Sequence, residues 1–142
     1  MNPHVTSKEL SERLKKLGVK QNALHNWVPD SDGKTIHLYA SSPFLKVKGK
    51  KIVKWLNYTS AFLASELGEM LPSWFVKNGE QYEILIAKVP DITKDTEEWW
   101  VYSVNIDKEE KKNNGMNAQH PNLAEAMGLM LEYLLINKLI TL

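Results

Sequence analysis

The chain contains no cysteine. That removes disulfide staples, cysteine-based zinc sites and a thiol nucleophile together, and it fits a reducing cytoplasm. Seven glycines are scattered through 142 residues without forming a phosphate-cradling cluster. Long apolar runs are also missing. The opening residues MNPHVTSKEL hold no apolar signal-peptide core. The C-terminal run is broken by Glu132 and Lys138 before it reaches the roughly 18 residues of a membrane span. Neither export nor a membrane span is expected, and the expected location is cytoplasmic. No charge sign dominates, since the net charge is +1. This balance conceals a split: residues 1–58 carry 11 Lys and Arg against 4 Asp and Glu, whereas residues 59–142 carry 7 against 13. Because the charges alternate with apolar residues, the simplest reading is oppositely charged faces within one fold.

What is present is the composition of an ordinary globular protein, 43% hydrophobic and 25% charged. A chain of 142 residues suits one domain over residues 1–142. The stretch Leu123–Leu142 reads as a helix with an unusually wide apolar surface. At 100° per residue Leu123, Met127, Met130, Leu131 and Leu134 share one face, Ala126, Leu129 and Tyr133 widen it one way, and Ala124 and Leu135 the other. Only Glu125, Gly128 and Glu132 mark a solvent side. Such a helix must be covered from more than one direction. Leu129 and Ile136, which flank the glutamate stripe, are the candidate contacts with a protein partner or a second copy.

Upstream, Thr6-Ser7-Lys8-Glu9 has the spacing of a capping box. A short helix follows with Leu10, Leu14 and Leu17 as its stripe and Gly18 as its stop. His25–Val28 and Thr35–Ala40 read as a hairpin, and a third strand is expected within Lys51–Tyr58. Ser60–Leu71 is a second amphipathic helix, capped by Ser60 and closed by Pro72. Gln81–Val89 and Trp99–Ile106 form two longer paired strands. In the second, Trp100, Tyr102, Val104 and Ile106 share one face, while Ser103, Asn105 and Asp107 turn the other polar towards its end. Such a pattern suits an antiparallel sheet with one covered face. Asp107–Pro121 is a polar loop, and Asn122 caps the last helix. The fold class is α+β, a mainly antiparallel sheet of about five strands packed with three helices.

Chemistry-bearing motifs are sparse. Asp30-Ser31-Asp32-Gly33 begins like a calcium loop but lacks the closing glutamate, so a β-turn is expected. His25 and His37 could face each other across the hairpin, although neither belongs to a metal motif. Glu97-Glu98-Trp99-Trp100 combines carboxylates with aromatic rings, an arrangement that could serve a sugar or a cation but more simply anchors a strand. Lys46, Lys48, Lys50, Lys51 and Lys54 with Trp55 are the candidate nucleic-acid contacts, because Lys neutralises phosphate while aromatic rings stack on bases. Alternating Lys and apolar residues also suit an edge strand that discourages aggregation. No catalytic residue, metal ligand or cofactor site is expected, and the chain reads as a non-enzyme.

The segments Leu10–Trp27, Ser60–Pro72 and Glu125–Ile140 resemble a family of small, functionally uncharacterised proteins encoded by phages, prophages and mobile elements of gut bacteria. Members often close the last helix with Asn-Gly, whereas here Asn137 is followed by Lys138. The resemblance implies a mobile-element origin and supplies no activity. The leading functional expectation is therefore a protein-interaction module whose binding surface includes the C-terminal helix or the loop Asp107–Pro121, with weak nucleic-acid binding through Lys46–Lys54 as the alternative.

Overall fold

The computed structural model describes residues 4–29, 36–40, 44–47, 51–54, 58–91, 93–107 and 116–142. In chain order these form α1 (Lys8–Lys16), β1 (His25–Pro29), β2 (Ile36–Ala40), β3 (Phe44–Val47), β4 (Lys51–Lys54), β5 (Thr59–Ala61), α2 (Ala64–Met70), β6 (Trp74–Lys77), β7 (Glu80–Asp91), β8 (Thr96–Asn105), β9 (Asn117–His120) and α3 (Leu123–Ile136). The α+β class stands. The strands are more numerous than expected and are divided among sheets of order β2-β1-β5, β3-β4 and β6-β7-β8-β9, with antiparallel pairing throughout.

Helix α1 is capped one residue later than the sequence pattern indicates. Ser7, not Thr6, accepts from Leu10 N at 3.2 Å. Thr6 is instead fully buried, and its hydroxyl shares a hydrogen bond with Ser11 (2.7 Å) and accepts from Phe62 N (3.0 Å). At the far end Gly18 adopts φ +90, Gly18 N donates to Lys15 O, and Val19 N donates to Leu14 O. Both helix-end carbonyls are thereby satisfied in a left-handed cap.

Helix α3 ends in the same way with a less suitable residue. Lys138 N donates to Leu135 O and Leu139 N to Leu134 O, and Lys138 takes φ 54. A side chain in this region costs about 1 kcal/mol relative to glycine. Lys138→Gly is therefore expected to raise stability by about 1 kcal/mol, read as a higher urea midpoint. An unchanged or lower midpoint would contradict this account of the cap.

The wide apolar surface of α3 is covered on three sides, by α2, by the inner face of the β6–β9 sheet and by α1. The supposed solvent stripe faces α1. Gly128 is buried, and a Cβ placed there would lie 2.7 Å from Leu10 Cδ2 and 3.1 Å from Thr6 Cγ2. Glu125 accepts from both Ser7 N and Ser7 Oγ at 2.7 Å, and Glu132 accepts from Arg13 Nε at 2.5 Å. These glutamates are polar because they meet polar groups on α1, and the helices approach closely because Gly128 lacks a side chain. Asn122 caps the helix as expected, accepting from Ala124 N at 3.0 Å.

The hairpin of β1 and β2 and the long hairpin of β7 and β8 follow the sequence reading. Other elements depart from it. Thr59–Ala61 forms β5 beside β1, so α2 begins only at Ala64. Glu66 reaches back to accept from Leu63 N and also from Leu24 N, both at 2.8 Å, which ties the helix start to the segment preceding β1. The strand expected within Lys51–Tyr58 is β4, paired with β3 in a separate ribbon. β6 was not expected at all. Part of the 107–121 loop is β9, while residues 108–115 lie outside the described residues.

The covered face of β8 is the one that ends in polar residues. Val101, Ser103 and Asn105 are fully buried, and Val101 joins Phe75, Tyr82 and Ala118 in the core. Asn105 is tolerated there because its Nδ2 donates to Glu80 Oε2 at 2.9 Å, the same oxygen that accepts from Tyr82 OH at 3.1 Å. Burial, reinforced by Glu80, pushes the Tyr82 phenol above its ordinary value of 10.0. The folded chain thus keeps this proton after the unfolded chain has released it. The contribution is complete below about pH 10 and is lost as pH rises through the folded value. Tyr82→Phe is expected to flatten the alkaline fall in urea midpoint above about pH 10. A slope identical to the wild type would contradict that assignment.

Candidate interaction surface

The residues singled out by sequence do not converge. Lys46 pairs with Ile52, Lys51 with Val47 and Lys54 with Phe44 along the β3–β4 ribbon. Lys48, Lys50, Trp55 and the segment Asp30–Gly33, expected as a β-turn, lie outside the described residues. His25 is opposite Ala40, and His37 is opposite Val28, three positions away along the ladder. The two imidazoles therefore do not face each other. Among the described residues no three His, Asp or Glu side chains are grouped to hold a metal ion. Leu129 packs against the core, whereas Ile136 is 59% exposed, so one of the two proposed α3 contacts remains available. Among the described residues no helix is long and apolar enough to cross a membrane.

Among the described residues, three clefts contain polar side chains. One of 210 Å³ lies at the start of α3 and includes Ser7, Trp27, His120 and Glu125. Its composition suggests a serine nucleophile, but its hydrogen bonds do not. Ser7 Oγ donates to Glu125 and accepts from Leu10 N, so its proton and a lone pair are both engaged. His120 Nδ1 accepts from Asn122 N at 3.0 Å, and in the neutral ring the other nitrogen then carries the proton. His120 is therefore not arranged as a base for Ser7, whose proton is held by Glu125.

A second cleft, of 440 Å³, gathers His4, Lys88, Glu97 and Trp99. Here the Glu97–Trp99 motif does line a concavity. Lys88 makes an ion pair with Glu97 and lies 5.8 Å from the Trp99 ring centre, so the three side chains mainly satisfy one another. In the third, of 520 Å³, Glu66 is committed to the backbone donors of Leu24 and Leu63, leaving Lys20 and Glu69 at the rim.

The outer face of the four-stranded sheet is different in kind. Directly opposed residues in a ladder point to the same side. The register therefore aligns Trp74, Glu83 and Val104 in one row, Leu85, Tyr102 and Asn117 in the next, and Ala87, Trp100 and Gln119 in a third. Val76 and Val89 extend this surface. Val104 is buried at 7% exposure, but none of the apolar residues of this face belongs to the cluster that α3 covers, and among the described elements no helix packs on it. Trp74 is 54% and Val76 50% exposed; Leu85, Trp100 and Tyr102 are half-buried. The strand positions on this side include Glu83 and Glu98 but no Lys or Arg. The surface is thus aromatic, apolar and acidic.

Trp74 and Val76 escaped the sequence reading even though a signal was present. Asn78-Gly79 is the dipeptide that most favours a two-residue hairpin turn, and it separates WFVK from EQYE. Both turn residues take positive φ, 52 and 78. No protein-family model, curated protein or solved structure matches this chain.

Proposed function

We propose that this protein is a non-enzymatic interaction module that uses the outer face of the β6–β9 sheet to bind a protein surface that is apolar and rimmed by Lys or Arg. The observation that carries this reading is the continuous Trp74, Trp100, Tyr102 and Leu85 surface outside the core. Contiguous apolar patches bounded by polar residues mark interaction sites, and aromatic residues supply most of the binding energy in such patches. Glu83 and Glu98 favour a basic rim on the partner and disfavour an acidic one. The family resemblance makes a host or phage protein the expected partner.

The test compares three forms of the full chain as bait in host lysate. Wild type and Ile136→Glu are expected to retain the same partner, whereas Tyr102→Glu loses it while keeping the wild-type circular dichroism spectrum. Loss with Ile136→Glu and retention with Tyr102→Glu would move the site to α3. Binding of single-stranded oligonucleotide that weakens with salt and disappears in Lys46→Glu/Lys54→Glu would favour the nucleic-acid alternative.

A further inference from the structure

The two edges of the four-stranded sheet differ in what they offer. Because Asn78 and Gly79 form a two-residue turn, Lys77 and Glu80 close the β6–β7 hairpin as a hydrogen-bonded pair, and bonded pairs recur at every second position. The bond from Ile84 N to Ser73 O, 2.9 Å, fixes the same phase. Phe75 and Lys77 thus direct their backbone groups at β7, while Trp74 and Val76 direct theirs at the outer edge, where none of the described strands pairs with β6. These same two residues have the exposed apolar side chains. At the other edge Ser103 N donates to Met116 O, which makes Asn117 and Gln119 the outward residues of β9. Their polar side chains suit water, whereas β6 carries no proline, charge at an outward position or bulge to discourage pairing.

We propose that β6 pairs antiparallel with β6 of a second copy of this chain, about a two-fold axis at Phe75, with Trp74 opposite Val76 of the partner subunit. In this register the outward N–H and C=O groups of Trp74 and Val76 on both copies bond one another, four hydrogen bonds in all. A shift of two residues sets Val76 against Pro72, which has no N–H, or Trp74 against Asn78, which is not extended. The only charge in residues 73–77, Lys77, comes to lie opposite Ser73 of the partner subunit, so like charges do not meet. Phe75, buried and stacked on Tyr82 with ring centres 5.3 Å apart, meets its own copy at the axis. The contact is isologous and closes as a dimer, unlike a β6–β9 contact, which would propagate. It joins the two outer faces into one surface.

An edge pair of this length is smaller than the about 1,200–2,000 Å² of a standard interface, so association should be concentration-dependent over roughly 10–500 µM. Sedimentation equilibrium over that range is expected to show wild type passing from monomer to dimer. Val76→Pro removes an N–H that the hairpin does not use and should weaken association about tenfold or more. Val76→Thr keeps the N–H and should dimerise like wild type. Amide exchange at Trp74 and Val76 should slow as wild-type concentration rises, a readout that decides the matter even where Val76→Pro fails to fold. A wild type that stays monomeric, a folded Val76→Pro that dimerises normally, or a ladder of larger oligomers would overturn the pairing. Tyr102 takes no part in it, so loss of partner capture by Tyr102→Glu and loss of dimer by Val76→Pro stand or fall separately.

Discussion

Gly128→Val is expected to destabilise the protein by about 3 kcal/mol or more, because small-to-large changes at a fixed close approach cannot relax locally. Even a Cβ at this position would meet Leu10 Cδ2 at 2.7 Å and Thr6 Cγ2 at 3.1 Å. Both neighbours are fully buried, so neither can swing towards solvent. Thr6 is held further by backbone and side-chain bonds: Thr6 N donates to Phe62 O, and Thr6 O accepts from Trp27 Nε1 at 3.1 Å. Relief must come from separation of α1 and α3, which would stretch the Ser7–Glu125 and Arg13–Glu132 contacts. Val is a better helix former than Gly by only a few tenths of a kcal/mol, too little to offset the clash. Gly128→Ala should be milder, with a net loss of about 1 kcal/mol after its helix-propensity gain is counted. Urea unfolding of the two variants measures both effects, and an alanine variant more stable than wild type would refute the close approach.

Leu134→Ala should cost about 2–5 kcal/mol, the usual range for removing a buried leucine side chain without collapse of its site. Leu134 has no exposed surface and packs in the common core of α3, α2 and the sheet. Ile136, two residues later on the same helix, is 59% exposed, and Ile136→Ala should change stability by about 0.5 kcal/mol or less. The contrast separates burial from helix propensity. A Leu134→Ala loss under about 1 kcal/mol would place that face of α3 outside the core.

These two positions also show what the sequence could and could not convey. The start of α3 was readable because its apolar residues recur at helical spacing and Asn122 supplies a cap, but the helix stops at Ile136, six residues short of the expected Leu142. Its sidedness was not. Glu125 and Glu132 look like a solvent stripe on a wheel, yet they answer Ser7 and Arg13 on a helix more than a hundred residues away in the chain. The same limitation applies to β8, where alternation defined two faces correctly but could not say which one α3 would cover. Fully buried Ser103 and Asn105 sit beneath the helix, while Trp100 and Tyr102 lie on the other side. Asn105 is compatible with the core through Glu80, a partner on β7 that periodicity cannot reveal.

Short strands were the least legible elements. β9, with sequence NAQH, has neither alternation nor β-branched residues and forms through pairing with β8. Thr59–Ala61 reads as a helix start until β1 claims it as a ladder partner. β6 is the instructive omission, since the Asn78-Gly79 turn was visible and four residues before it were enough for a strand. Its recovery moves the candidate contact surface from α3 to the sheet.

Hydroxyl-radical footprinting of the protein alone and bound to its captured partner tests that relocation most directly. Protection at Trp74, Trp100 and Tyr102, with Ile136 as reactive as in the free protein, is the predicted result. Protection of Ile136 and its neighbours on α3, with the three aromatic residues of the sheet unchanged, would contradict it.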